Sequence, residues 1–439
     1  MDAGGRNAGP RDAGLDLRRL LAPSRVAIVG STSKPTGLGS RTIKHLHDAA
    51  FPGTVTAYSR GDQVPEGTDV AVIAVPAAAV QQVLDDIGSR AAFIVVYSSG
   101  FEEVGRAPLR SSPGTRLLGP NTVGLYYAPS RTVLTFAQAF DDLAVGGPGS
   151  GVFLVSQSGA FGARLVQSAA RYGLHLDGFV GTGNEVDLDA CTVACGLIDS
   201  AASGGLAAPR AILLYLEGLR AAEPLVRLLA RARDAGVAVV ALLGGLSEAG
   251  ALAATSHTSA VSSDHAVVAE LFAFYGASLV RTDRDLVQAA VGLSLLGRRP
   301  ARRVGVVTGS GGAGVVAADI LSAHGLVLPE LSPGLRAQVA ALLPDIASAR
   351  NPVDVTAQTI GDNAVLGKVC ATLRDSGEVD LLLVIGREDQ AGAAGAVAGA
   401  AVPTVVAVLD RDASGVRHRI ERGEVVLPDL AAACTALDA

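Results

Sequence analysis

Residues 151–162 read GVFLVSQSGAFG. Val152 to Val155 form an apolar run with no alternation, the mark of a strand covered on both faces and so of a parallel sheet flanked by helices. Ser156, Gln157, Ser158 and Gly159 then switch to small and polar residues. Ser156 and Ser158 suit the N-terminus of a following helix, and Gly159 lets an anion approach the backbone. The same grammar recurs in RVAIVG (25–30), DVAVIAVP (69–76), AAFIVVYSSG (91–100), AILLYLEG (211–218), VAVVALLGG (237–245), RVGVVTGSGG (303–312), LLLVIG (381–386) and PTVVAVL (403–409). Ala- and Leu-rich stretches of helical length separate these runs. The repeated βα order predicts a doubly wound α/β architecture of parallel sheets.

The totals agree with several such units. A chain of 439 residues, 49% hydrophobic and 18% charged, can bury large cores and exceeds one ordinary domain. Two composition shifts mark boundaries: VGGPGSG at 145–151 and GRRPARR at 297–303, each just before a strand. The expected division is a disordered tail at 1–15 and three domains at 16–145, 146–299 and 300–439. A net charge of −6 gives no basic footprint for nucleic acid. No apolar run reaches membrane-spanning length, and MDAGGRNAGPRDAG at the N-terminus has no apolar signal core, so a cytoplasmic location is expected. Cys191, Cys195, Cys370 and Cys434 lack metal-ligand spacing and read as small core residues. No metal is expected on this chain.

In doubly wound sheets, ligands gather beyond the carboxyl ends of the strands. The first such loop, VGSTSKPTGLGSRTI (29–43), carries Gly30, Gly37 and Gly39, which do not match GxGxxG. Its strand end and helix start still offer free N–H groups to a phosphate, although packing alone accounts equally well for one glycine-rich turn. VSQSGAFG (155–162) and VTGSGGAG (307–314) have a common form, the second with Gly311, Gly312 and Gly314. Two helix N-termini of this kind aimed at one point would hold a phosphate. Glu217 closes the apolar run LLYLEG, where a lone carboxylate is costly unless paired, so it could orient a histidine; a plain surface acid is the other reading. His257 lies in SHTSA (256–260), a small-residue loop suited to a nucleophile that travels. His45 and His47 read as surface residues on a helix, and no histidine pair has metal-binding spacing.

Taken in order, VAIVGSTSKPTGLGS, DVAVIAVPA, SSGFEEVG, LLGPNTVGL, VFLVSQSGAFG, GTGNEVDLD, LLYLEG, SEAG…SHTSA, VTGSGGAG and NPVDVTA resemble the alpha subunit of ADP-forming (NDP-forming) acyl-CoA synthetases, in the succinyl-CoA ligase superfamily. The resemblance runs from about Leu17 to the C-terminus. It implies a Rossmann-like CoA-binding domain followed by two flavodoxin-like ligase domains. It implies that His257 is phosphorylated by ATP or GTP and passes the phosphate to a carboxylate, and that CoA then displaces it from the acyl phosphate. Glu217 falls on the acid that supports the histidine. Ser156, Gln157, Ser158 and Gly159, with Gly311, Gly312 and Gly314, fall on the phosphate-cradling helix starts. Gly30, Ser31, Thr32, Val75, Pro76, Ser98, Ser99, Gly100 and Asn121 fall on the CoA-contact loops, and Arg60 is the cation nearest to hand for CoA phosphates. The nucleotide and its magnesium belong to an ATP-grasp half, which the resemblance assigns to a separate beta subunit, in a hetero-oligomer or homodimer.

Three positions depart from the family pattern. Its basic K-x-G-R segment is LGGL here, with Leu243 and Leu246 at the basic positions; SHTGA is SHTSA, with Ser259; and GGPG is GGAG, with Ala313. Losing two cations beside a phosphorylated loop weakens phosphate handling or changes the partner surface. Two alternatives therefore stay open: acyl transfer from an acyl phosphate to another acceptor such as an amine, and a CoA-binding scaffold or regulator without catalysis. The acid substrate and the choice of ATP or GTP are not legible.

Overall fold

In the computed structural model, residues 15–141, 149–247, 250, 265–297, 302–356, 362–408 and 413–438 are described. Among them are three sheets. The first contains β1 (Arg25–Val29), β2 (Thr54–Tyr58), β3 (Thr68–Ile73), β4 (Ala91–Val96) and β5 (Arg116–Leu118), in the order β2-β1-β3-β4-β5 and parallel throughout. The reason its strands are apolar without alternation is visible in the packing. Val26, Ile28, Val70 and Val72 enter one buried cluster, while Ala27, Val29, Ala71 and Ile73 enter another on the opposite face.

The second sheet contains β6 (Gly124–Tyr127), β7 (Thr132–Thr135), β8 (Val152–Ser156), β9 (Gly178–Gly181), β10 (Ala211–Leu216), β11 (Ala238–Leu243) and β12 (Ser278–Val280), in the order β12-β11-β10-β8-β9-β6-β7. It departs from the all-parallel expectation, because β6 runs antiparallel to both β7 and β9. Only the turn Ala128–Ser130 and Arg131, at φ 56°, separate β6 from β7. So short a connection closes a hairpin and cannot cross over. The third sheet, parallel throughout, holds β13 (Val304–Thr308), β14 (Val353–Asp354), β15 (Leu381–Gly386), β16 (Thr404–Val408) and β17 (Val426–Leu427), in the order β14-β13-β15-β16-β17.

The chain forms two compact units: Met1–Gln167 with Leu176–Leu279, and Ser168–His175 with Val280–Ala439. In the first unit one apolar cluster runs from Val26 and Val70 of the first sheet to Val155 and Ile212 of the second. The four cysteines are buried and free. Burial pushes Cys195 up to about 11, and Cys370 and Cys434 up to about 12, so these thiols behave as core residues. Among the described residues no helix is long and apolar enough to cross a membrane.

The structure corrects the reading of His45. It is 3% exposed, with Nδ1 at 2.7 Å from the Thr135 carbonyl and Nε2 at 2.8 Å from Asp141 Oδ1. Both ring nitrogens are thus within hydrogen-bond reach of an oxygen, which is why the ring packs inward against β7 and the segment after it. The His45 bond and then Arg41 hold the Asp141 carboxyl below its usual range. His47, on the same helix Leu38–Asp48, is exposed as expected.

Candidate active site

Four loops of the first sheet leave the carboxyl ends of neighbouring strands and lie side by side. Gly30, after β1, has φ +86°, and a Cβ there would stand 2.5 Å from Val75 Cγ1 and 2.9 Å from the Ala74 carbonyl. Only glycine lets the two loops approach so closely. Ser31 Oγ accepts from the Leu38 N–H at 3.1 Å, tying Ser31 and Thr32 to the start of helix Leu38–Asp48. Pro76 begins the helix Ala77–Ile87. Ser98 Oγ donates to the Val75 carbonyl, and the Ser98 carbonyl accepts from Asn121 N–H at 2.8 Å. Ser99 is exposed beside Gly100. Gly30–Thr32, Val75–Pro76, Ser98–Gly100 and Asn121 are thus one continuous rim. Arg60, beyond β2, is exposed, but its guanidinium is engaged by Asp62.

The same unit carries the second group at the carboxyl ends of β8 and β10. Ser158 Oγ accepts from the Phe161 N–H at 3.4 Å, capping helix Gly159–Arg171, and Ser156 Oγ donates to the Ser158 carbonyl at 2.7 Å. Gly159 is needed for space, since a Cβ would stand 2.6 Å from Val123 Cγ1. Gln157 turns inward. Its Oε1 accepts from the Glu217 and Gly218 N–H groups at 2.6 and 3.2 Å, and its Nε2 donates to the Gly218 carbonyl at 2.9 Å and to Glu185 Oε2 at 2.8 Å. Glu217 is partly buried and its carboxylate meets the Tyr215 hydroxyl; burial first, and the Glu217 charge next, push that phenol up to about 12.

Glu185 is the acid that sequence reasoning missed. It is 8% exposed, has φ 54°, and its Oε1 accepts from Thr182 Oγ1 at 2.7 Å and from the Ala190 N–H at 2.9 Å. Burial dominates and pushes its carboxyl up to about 7, with the charge of Asp189 adding to the rise. Folded Glu185 holds a proton that the unfolded chain releases near 4.5, so its contribution to stability is full below that value and is lost as pH rises through about 7. Relative to Glu185→Gln, the wild type should lose ~3 kcal/mol of stability across this window, read from urea unfolding at each pH.

The 181–189 segment joins both groups. Asn121 Nδ2 donates to Asn184 Oδ1 at 3.1 Å, and the Asn184 N–H donates to the Pro120 carbonyl at 2.9 Å. Arg220, just past Glu217, donates to Glu102 Oε2 and to the Asn184 carbonyl, both at 2.8 Å. A cavity of about 200 Å³ lies between these loops, lined by Gln157, Glu185, Asp189, Cys191, Gly218 and Arg220. In the second unit, Ser310 caps helix Gly311–Ala323 by accepting from the Ala313 N–H. Gly311 and Gly312 are exposed at its start, and Gly314 is buried where a Cβ would meet Pro352 Cβ at 3.2 Å. His257 and Ser259 lie outside the described residues.

The family model of a succinyl-CoA ligase-like flavodoxin domain matches residues 148–293, and that of a ligase-CoA domain matches 304–378. The alpha subunits of two ADP-forming acetate–CoA ligases of Pyrococcus furiosus, II and I, are 28% and 29% identical. These matches cover 84% and 79% of this chain and 82% and 78% of theirs. The chain is a homologue of the alpha subunits of ADP-forming acetate–CoA ligases and carries succinyl-CoA ligase-like domains. A solved structure, dinucleotide-forming acetyl-coenzyme A synthetase 1 of Ca. Korarchaeum cryptofilum in complex with phosphate and ADP, superposes with a TM-score of 0.84. It is 26% identical, with 96% of each chain covered.

The departures from the family's pattern can be placed. Leu243 ends β11 beside Leu216 of β10, and Leu246 is 53% exposed. Gly244 follows Leu243, and a Cβ there would stand 3.2 Å from the Tyr215 hydroxyl, so the LGGL loop borders the Glu217 site. Ala313 supplies an N–H to the Ser310 cap that proline could not. Tyr215 was also missed; an aromatic two residues before the site acid was the available signal.

Proposed function

We propose that this chain is the CoA-binding, phosphohistidine-bearing subunit of an ADP-forming acyl-CoA ligase that works with a separate ATP-grasp subunit, in the cytoplasm. The observation that carries the reading is the meeting of two loop sets within one unit: the rim Gly30–Thr32, Val75–Pro76, Ser98–Gly100 and Asn121, and the Ser156–Gly159 helix start with Glu217, joined through Asn121 and Asn184. CoA would occupy the rim. The helix N-terminus beside Ser158 would steady a phosphoryl group. His257, carried on its small-residue loop, would accept the γ-phosphoryl group of ATP or GTP bound with magnesium on the partner, with Glu217 holding its imidazole. A carboxylate oxygen of the substrate acid then attacks phosphorus and breaks the N–P bond, giving an acyl phosphate. The CoA thiolate attacks the acyl carbon and releases phosphate. Gly311, Gly312 and Gly314 would form a second phosphate cradle. The four free cysteines agree with a reducing compartment. Leu243 and Leu246, where the family pattern has cations, favour a second reading, in which the chain binds CoA as a scaffold or regulator without catalysis.

Run backwards, the reaction needs no partner. The purified chain, given inorganic phosphate and a panel of acyl-CoAs, should gain one phosphate by intact mass at mildly alkaline pH. The adduct should be lost on acidification and absent from His257→Ala. If no acyl-CoA yields it while CoA still binds, the ligase reading falls and the scaffold or alternative-acceptor reading takes its place.

A further inference from the structure

We propose that Glu185, acting through Gln157, is a positioning residue for Glu217, and that Gln157 therefore serves as a clip on the site acid and not as a phosphate ligand. This rests on the function proposed above. Every hydrogen-bonding position of the Gln157 amide is used, and its orientation is fixed by its partners. The Glu217 and Gly218 N–H groups can only donate, so the amide oxygen must face them. The Gly218 carbonyl can only accept, so the amide nitrogen must face it. The remaining amide hydrogen points to Glu185 Oε2 at 2.8 Å. A phosphate would have to break one of these bonds to reach the side chain.

Glu185 is in turn anchored from two other elements. Its Oε1 receives the Thr182 hydroxyl, from the loop after β9, and the N–H of Ala190, the first residue of helix Ala190–Ala202. The other charged or titratable groups around the cavity are Asp187, whose carboxylate is held by Arg116 and the Leu117 N–H, Asp189, whose carboxylate is occupied in capping that helix, and Cys191 and Arg220. The path from helix Ala190–Ala202 to the turn that carries Glu217 therefore passes through two buried side chains, Glu185 and Gln157, both 8% exposed. Glu217 sits just past the last residue of β10, and its backbone N–H donates to Gln157 Oε1 at 2.6 Å. A carboxylate that must hold a histidine arriving on a loop gains from having its own backbone fixed beforehand.

The test uses reverse phosphorylation of the full chain by phosphate and the best acyl-CoA. Glu185→Leu removes the acceptor for Gln157 at nearly constant volume and should slow phosphohistidine formation by about 10- to 100-fold, with the phosphate KM unchanged. Glu185→Gln keeps one oxygen for Gln157 while turning its amide nitrogen toward the Ala190 N–H, and should recover part of the rate. In a Glu217→Gln background, Glu185→Leu should cost less than about twofold, because the group it positions is already gone. If Glu185→Leu does not fold, Gln157→Leu breaks the same clip from the other end and takes its place. Equal fold-losses in the wild-type and Glu217→Gln backgrounds would mean a general structural role and overturn the proposal. A wild type that is never phosphorylated, by contrast, refutes the ligase reading on which the proposal stands.

Discussion

Replacing Glu217 by glutamine should slow phosphoryl transfer to His257 by ~100- to 1,000-fold, with the fold intact. The acid is placed by two opposing tendencies. Strand β10 is apolar to its last residue, Leu216, and a carboxylate continuing that run would be buried without compensation. The chain instead turns at Glu217 and Gly218, the turn is clipped by Gln157, and the carboxylate emerges beside the Tyr215 hydroxyl. An imidazole that accepts a phosphoryl group on one nitrogen becomes cationic as the bond forms. A carboxylate on the other nitrogen fixes the tautomer and stabilises that charge. Glutamine fits the space but brings no charge, so it retains orientation and loses the stabilisation. The same substitution should lower the Tyr215 phenol from about 12, since the Glu217 charge is one cause of its elevation. The rate of acid-labile phosphate incorporation is the measurement. A variant within threefold of wild type would remove Glu217 from the chemistry.

Much of the fold was legible because the buried parallel strands announce themselves. Each apolar run without alternation became a strand, from β1 at Arg25–Val29 to β16 at Thr404–Val408. The strands that were not read lack that signal. β2, TVTAY, is an edge strand left largely open on both faces, β5 is three residues long, and β14 and β17 are two residues each. β6 and β7, GLYY and TVLT, are buried at every position but are only four residues each, too short for a pattern to show. The loops at strand ends were legible for the same reason as the strands. What the loops do was harder, because side-chain partners are remote in sequence. Gln157 finds Glu185 28 positions away and Glu217 60 away; His45 finds Thr135 and Asp141 at 90 and 96. A residue's type tells that it needs a partner, but only the packing of two sheets in one unit tells which partner arrives. Arg60 is the opposite case, as its partner Asp62 stands two residues on.

Gly124→Ala should destabilise the first unit by ~3–5 kcal/mol and weaken CoA binding with it. Gly124 opens β6 at φ +93°, where an L side chain is strained, and a Cβ would stand 1.9 Å from the Leu134 carbonyl of the paired strand β7. That oxygen is backbone in a hairpin and cannot swing aside as a side chain would. The strand must separate, and it pulls on the loop proposed to contact CoA. The Gly124 N–H donates to Thr122 Oγ1 at 2.9 Å, and Thr122 Oγ1 donates to the Gly181 carbonyl at 2.5 Å. Asn121, the residue before Thr122, is tied to Ser98 in the rim proposed to hold CoA. Displacing β6 therefore moves Asn121 away from Ser98 and Asn184 together. Gly204→Ala isolates the two causes, because Gly204 also has positive φ, +75°, yet nothing lies within 4 Å of its Cβ position. That control should cost only ~1 kcal/mol, the conformational part alone. Urea unfolding of both variants, with CoA titration calorimetry, gives the comparison. Equal destabilisation would show that the hairpin yields cheaply, and an unchanged CoA affinity in Gly124→Ala would detach the rim at Asn121 from the strand that follows it.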